Sequence, residues 1–193
     1  MAERTALIYE KKSAVESFDS MCRILERIGI RVAYPGSECV KMLGHEGQQI
    51  EGTLGGLRRR LSTECDVSFQ WWFEEAHDLY CRISWRGSVC VIEFGMEGCC
   101  DGELRILGKT LRDYFICGCE TSVGFVFDSQ GVAEDYDWDR FFLQGESLDW
   151  HSVGFALPTM LGFLISDMNR VRGLPESAVV VHEERVVIVD GPG

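Results

Sequence analysis

The sequence predicts an α+β fold. It should be a mainly antiparallel sheet, with a central three-strand meander and a C-terminal hairpin, and about three helices packed chiefly on one face. Three observations lead there. Segments 66–73, 79–85 and 88–94 are rich in Val, Ile, aromatic and Cys residues and are parted by polar or turn-forming stretches. Three other stretches repeat apolar residues at three- and four-residue steps, the period of a helix with one buried face. No low-complexity stretch or linker divides the 193 residues, and 46% of them are hydrophobic. A single domain over 1–193 is therefore expected, large enough to bury a core.

Taken in order, 5–9 reads as a short strand. Ser13 follows as an N-cap, and Glu16 three residues later completes a capping-box pattern. Val15, Phe18, Cys22, Leu25 and Ile28 then mark one helical face, which Gly29 stops. Residues 30–34 read as a second strand. Segment 36–62 holds six glycines ahead of Arg58-Arg59-Arg60 but neither phosphate-loop spacing, so it is expected to be a flexible loop. The three-strand meander comes next, its second connection a tight hairpin at Gly87. Asp101 should cap a helix carrying Leu104, Leu107, Leu111 and Phe115, with Gly118 as its end and 122–127 as the following strand. Pro158 suits a first helical turn, and Leu161, Leu164, Met168 and Val171 suggest a third helix closing at Gly173. Segments 178–181 and 185–189 form the last hairpin.

Charge narrows the function. Thirty-one Asp/Glu against nineteen Lys/Arg give −12. Residues 1–61 carry ten bases against eight acids, whereas 62–193 carry nine against twenty-three. Such a field repels nucleic acid and anionic membrane and attracts basic proteins. No apolar run approaches the roughly 18–20 residues of a bilayer span. Residues 1–7 do not resemble a secretory signal, so a cytoplasmic protein is expected. Nine cysteines, most inside apolar segments, read as reduced thiols packed as small hydrophobes. Cys99-Cys100 with Cys117-x-Cys119 lacks the paired spacing of zinc sites, and no His lies between 78 and 150. No metal or cofactor is expected.

Catalytic signatures are weak. There is no G-x-S-x-G, and His45, His77, His151 and His182 all fall in expected loops or turns. Asp135, Asp137 and Asp139 match the first ligands of a calcium loop, but Arg140 stands where that loop needs Gly. The same stretch has more to offer as a binding surface. Asp128, Glu134, Asp135, Asp137, Asp139, Glu146 and Asp149 face one base, Arg140, with Tyr136, Trp138 and Trp150 interleaved. Carboxylates steer a basic partner and receive its arginines, while aromatics supply rigid contact area. The ordinary alternative is that the aromatics face the core and the acids face water, and both can hold together.

The expectation is a non-catalytic acidic binding protein: an intracellular inhibitor or bacterial immunity-type protein that neutralises a basic toxin or effector domain. Its contact residues would be Asp128, Glu134, Asp135, Tyr136, Asp137, Trp138, Asp139, Asp149 and Trp150. Two other classes stand beside it. One is an enzyme of unrecognised type using Asp137, Asp139, Asp149 and His151. The other is a regulatory or structural subunit associating through a sheet edge or through exposed Trp71 and Trp72.

Overall fold

The computed structural model describes residues 3–44, 46–74, 77–133, 135–153, 158–183 and 185–191. Strand β1 (Thr5–Glu10) leads into α1 (Ala14–Leu25), and a short 3₁₀ turn at Glu26–Ile28 closes on Gly29 at φ +85°. The capping box is present: Glu16 N–H donates to the Ser13 hydroxyl at 3.2 Å, and Ser13 N–H donates to the Glu16 carboxylate at 3.0 Å. Segment 36–62 is ordered into β2 (Val40–Leu43), β3 (Gln49–Gly52) and α2 (Leu54–Thr63). The flexible loop expected there is thus replaced by a hairpin and a helix. Thr53 caps that helix through the Gly56 N–H, and Leu57 and Leu61 bury its inner face. Residues 30–34 make only isolated bridges, Arg31 with Trp72 and Ala33 with Val40, so the second strand of the sequence reading is absent.

The meander is observed as β4 (Asp66–Glu74), β5 (His77–Arg86) and β6 (Val89–Gly95), antiparallel in succession, with Gly87 at φ +69° in the second turn. Helix α3 (Asp101–Cys117) follows, then β7 (Ser122–Asp128). Its cap is Cys100 rather than Asp101: the Cys100 N–H donates to the Glu103 carboxylate at 2.7 Å. Beyond come α4 (Trp138–Phe142), β8 (Leu148–Asp149), α5 (Trp150–Val153), β9 (Met160–Leu164) and, after a 3₁₀ stretch at Ile165–Arg170, β10 (Val171–Arg172). Strands β11 (Val179–Glu183) and β12 (Val186–Asp190) pair antiparallel.

The third helix expected over 158–173 is therefore a strand and a 3₁₀ turn. Leu161 and Phe163 point to one face of the sheet and Gly162 to the other, period two rather than 3.6. The open edges of β7 and β12 on either side supply the ladder, and tertiary pairing overrides the helical stripe.

Among the described residues, ten strands form one antiparallel sheet in the order β11-β12-β9-β7-β1-β6-β5-β4-β2-β3, and β8 and β10 pair separately. Helices α1, α2 and α3 cover one face through Phe18, Met21, Leu25, Leu57, Leu107, Leu111 and Phe115. Trp71 and Trp72 are buried, at 0% and 7% exposure, and so are not the exposed pair considered for subunit association. The other face is split. Over β4 and β5 it presents Asp66, Ser68, Gln70, Tyr80 and Arg82, tied by an Arg82–Asp66 ion pair and a Ser68–Tyr80 hydrogen bond. Over β1, β7, β9 and β12 it is apolar and lies beneath residues 135–171. Among the described residues no helix is long and apolar enough to cross a membrane.

Candidate functional site

The acidic, aromatic segment begins where β7 ends. Asp128 is 1% exposed, and its carboxylate accepts the N–H groups of Ala133 at 2.7 Å and Gln130 at 3.3 Å. A buried carboxylate held by backbone donors is a turn-former, and Gly131 at φ +66° completes the reversal. Glu134 lies outside the described residues. Asp135 is exposed and Tyr136 half-buried, its ring edge-on to Trp138 at 4.6 Å. Asp137 is exposed and caps α4 by accepting the Asp139 N–H at 3.2 Å.

From that cap the helix drives three rings into the sheet. Phe142 lies over Gly124 and 4.7 Å from the Tyr9 ring, and a Cβ at Gly124 would fall on the Phe142 ring itself. Phe141 meets Phe163 edge-on at 6.1 Å, while Trp138 stacks on Phe142 and lies beside Trp150. Trp138 and Trp150 are 5% and 7% exposed, so two of the three expected aromatic contacts belong to the core.

Asp139 points inward as well. Its carboxylate pairs with the Arg86 guanidinium and accepts the Tyr9 hydroxyl at 2.8 Å. Burial first, and the Asp139 charge second, push the Tyr9 phenol far above its ordinary range. Arg170 seals the far side: it sits over the Phe141 ring at 4.6 Å, donates to the Phe141 and Glu146 carbonyls, and pairs with Asp167. Asp135, Asp137 and Asp139 thus do not share one face, and Asp139 is taken by Arg86 and Tyr9. Asp149 is half-buried, and its carboxylate accepts the His151 N–H at 3.1 Å, a backbone turn rather than a carboxylate–imidazole pair. Of the residues considered for an Asp/His enzyme, Asp137 and Asp149 each accept a backbone N–H, and Asp139 is held by Arg86 and Tyr9.

A different cluster went unread in the sequence. His77 opens β5 and Cys99 precedes α3, while Glu103 occupies that helix's first turn. The His77 Nδ1 lies 3.0 Å from Glu103 Oε1, and one donor atom from each of the three residues lies within 4.8 Å of the other two. Two histidines placed in loops by the sequence reading sit in strands instead, His77 in β5 and His182 in β11; His151 lies in α5, and His45 is outside the described residues. The four-cysteine group also comes apart. Cys99 and Cys100 stand at one end of the 17-residue α3 and Cys117 at the other, roughly 25 Å away at 1.5 Å per residue.

The chain matches no protein family, no curated protein and no solved structure. Its chemistry is to be sought in its own side chains.

Proposed function

We propose that this chain is a non-catalytic acidic binding protein that neutralises a basic protein partner by direct contact, as an intracellular inhibitor or a bacterial immunity-type protein does to a toxin or effector domain. One observation supports this above the others. The segment from 135 to 150 is fastened to the sheet by buried Trp138, Phe141, Phe142 and Trp150, while Asp135 and Asp137 stay exposed with Tyr136 between them. A partner would meet charges on a fixed support, which lowers the ordering cost of association. The net charge of −12 adds a long-range field of the same sign. Toxins that act on nucleic acid or nucleotides carry positive clefts, and an acidic inhibitor competes for them electrostatically. Within the expected contact set, Asp135, Tyr136 and Asp137 form the touching surface, whereas Asp128, Trp138, Asp139 and Trp150 hold it in place.

The test is kinetic. Asn caps a helix as well as Asp does, so Asp135→Asn with Asp137→Asn removes two charges and keeps the α4 cap. Against the partner captured from the native cell, this variant should associate roughly tenfold more slowly at low salt and with a flatter salt dependence. Glu38→Gln with Glu46→Gln makes the same change in net charge at the distant β2–β3 edge, where both residues are exposed, and should leave the rate close to wild type. Equal rates for all three proteins in stopped-flow measurements would sink the proposal.

A further inference from the structure

We infer that His77, Cys99 and Glu103 form a binding site for a single divalent transition-metal ion, of which zinc is the best fit. The residues come from a strand, a loop and a helix, and they offer an imidazole nitrogen, a thiol and a carboxylate within 4.8 Å of one another. Donors bound to one tetrahedral zinc at about 2.0–2.3 Å lie roughly 3.3–3.8 Å apart, so closing on an ion needs about an ångström of movement or less.

The ligand side chains are already oriented. The His77 ring is not free to turn away, because it stacks on Phe73 at 4.9 Å while Nδ1 is held by Glu103. Glu103 is itself oriented, its second oxygen accepting the Cys100 N–H at 2.7 Å. The site is thus stiffened by partners outside it, as metal sites are.

Charge selects the ion. Cys99 is 4% exposed, and a cysteine binds a metal as its thiolate, so the thiol proton must leave on binding. Binding replaces that proton: the S–H bond breaks, the proton leaves to solvent, and a sulfur–metal bond forms with no change of oxidation state. One thiolate and one carboxylate then balance a 2+ ion, which leaves no net charge in a half-buried place. A thiolate with an imidazole favours zinc over calcium or magnesium, and three protein ligands leave a fourth position for water. This inference is independent of the acidic face.

The experiment is a cobalt(II) titration of the reduced, full-length protein, with zinc as competitor. One equivalent should produce a sulfur-to-cobalt charge-transfer band and the visible bands of four-coordinate cobalt, and zinc should abolish both. Cys99→Ser should lose the charge-transfer band. His77→Gln and Glu103→Gln, which leave the thiol in place, should each weaken binding more than about a hundredfold, beyond the roughly 10–100-fold that disturbing an outer partner costs. Cys100→Ser and Cys117→Ser, both at exposed positions, should titrate as wild type. No saturable thiolate band in the wild type would overturn the inference, as would a band that survives Cys99→Ser or unweakened binding by folded His77→Gln and Glu103→Gln.

Discussion

The two faces of the sheet are covered by different means. On one, helices of ten residues or more set Leu, Met and Phe at regular helical steps against the strands. On the other, a five-residue helix and irregular chain press a few large rings into the sheet. Each face also seats a ring over a glycine, and the two glycines lie in adjacent strands: Gly124 pairs with Phe163, and Phe125 with Gly162. Phe142 sits over Gly124 and Phe115 over Gly162. The helical cover spreads its contacts over many side chains. The aromatic cover concentrates them in few, and so depends on polar fastenings such as Asp139–Arg86 and Arg170.

Substituting the glycines presses hardest on that contrast. Gly124→Ala should cost about 4 kcal/mol in urea unfolding, because the added carbon collides with a ring locked among Tyr9, Phe141 and Trp138. Gly162→Ala should cost less, about 2 kcal/mol, since its Cβ would stand 2.7 Å from one edge atom of Phe115 on a long helix that can shift. The reverse order would show that the irregular cover is the more compliant one.

A smaller effect separates the polar fastenings. Tyr9→Phe removes a hydrogen bond to a carboxylate and should cost about 2 kcal/mol at neutral pH. The phenol is held neutral in the folded state, so its contribution is complete below the ordinary tyrosine pKa of about 10 and is lost as pH rises above it. Wild-type stability should therefore fall more steeply than that of Tyr9→Phe above pH 10, as followed by circular dichroism at several pH values. Parallel alkaline limbs would mean that neither burial nor Asp139 raises the Tyr9 phenol.

Smallest of all are the caps. Ser13→Ala on the helical side should cost about 1 kcal/mol, and Asp137→Ala on the aromatic side about the same if α4 needs its cap. A negligible loss at Asp137 would sharpen the contrast, showing that the rings alone hold α4.

What could be read in advance divides along the same line. The Ser13–Glu16 box, Gly29 and the meander were legible because their signals are local: a cap three residues from its partner, strands joined by short turns. Residues 160–172 misled because Leu161, Leu164, Met168 and Val171 mimic helical spacing, while the deciding fact, an open edge on each of β7 and β12, lies elsewhere in the chain. The acids and aromatics of 128–150 announced themselves by composition. Which of them face inward depends on Gly124, Tyr9 and Arg86, distant in sequence. His77, Cys99 and Glu103 had no motif because the fold alone joins them; the separation of 22 residues between His77 and Cys99 corresponds to no usual ligand spacing.

Strand β1 occupies the middle of the sheet, between β6 and β7. Its register pairs Thr5 with Gly95 on one side and Asp128 on the other. During synthesis it emerges long before either neighbour, a delay of about ten seconds at ordinary ribosomal rates. Through that interval Leu7, Ile8 and Tyr9 have no ladder partner, and the hairpins of β4, β5 and β6 can close without them. The topology therefore requires β1 to pair with two strands that are both made after it. Such long-range closure is slow, and it leaves an apolar segment open to chaperones and to other nascent copies until β7 is complete.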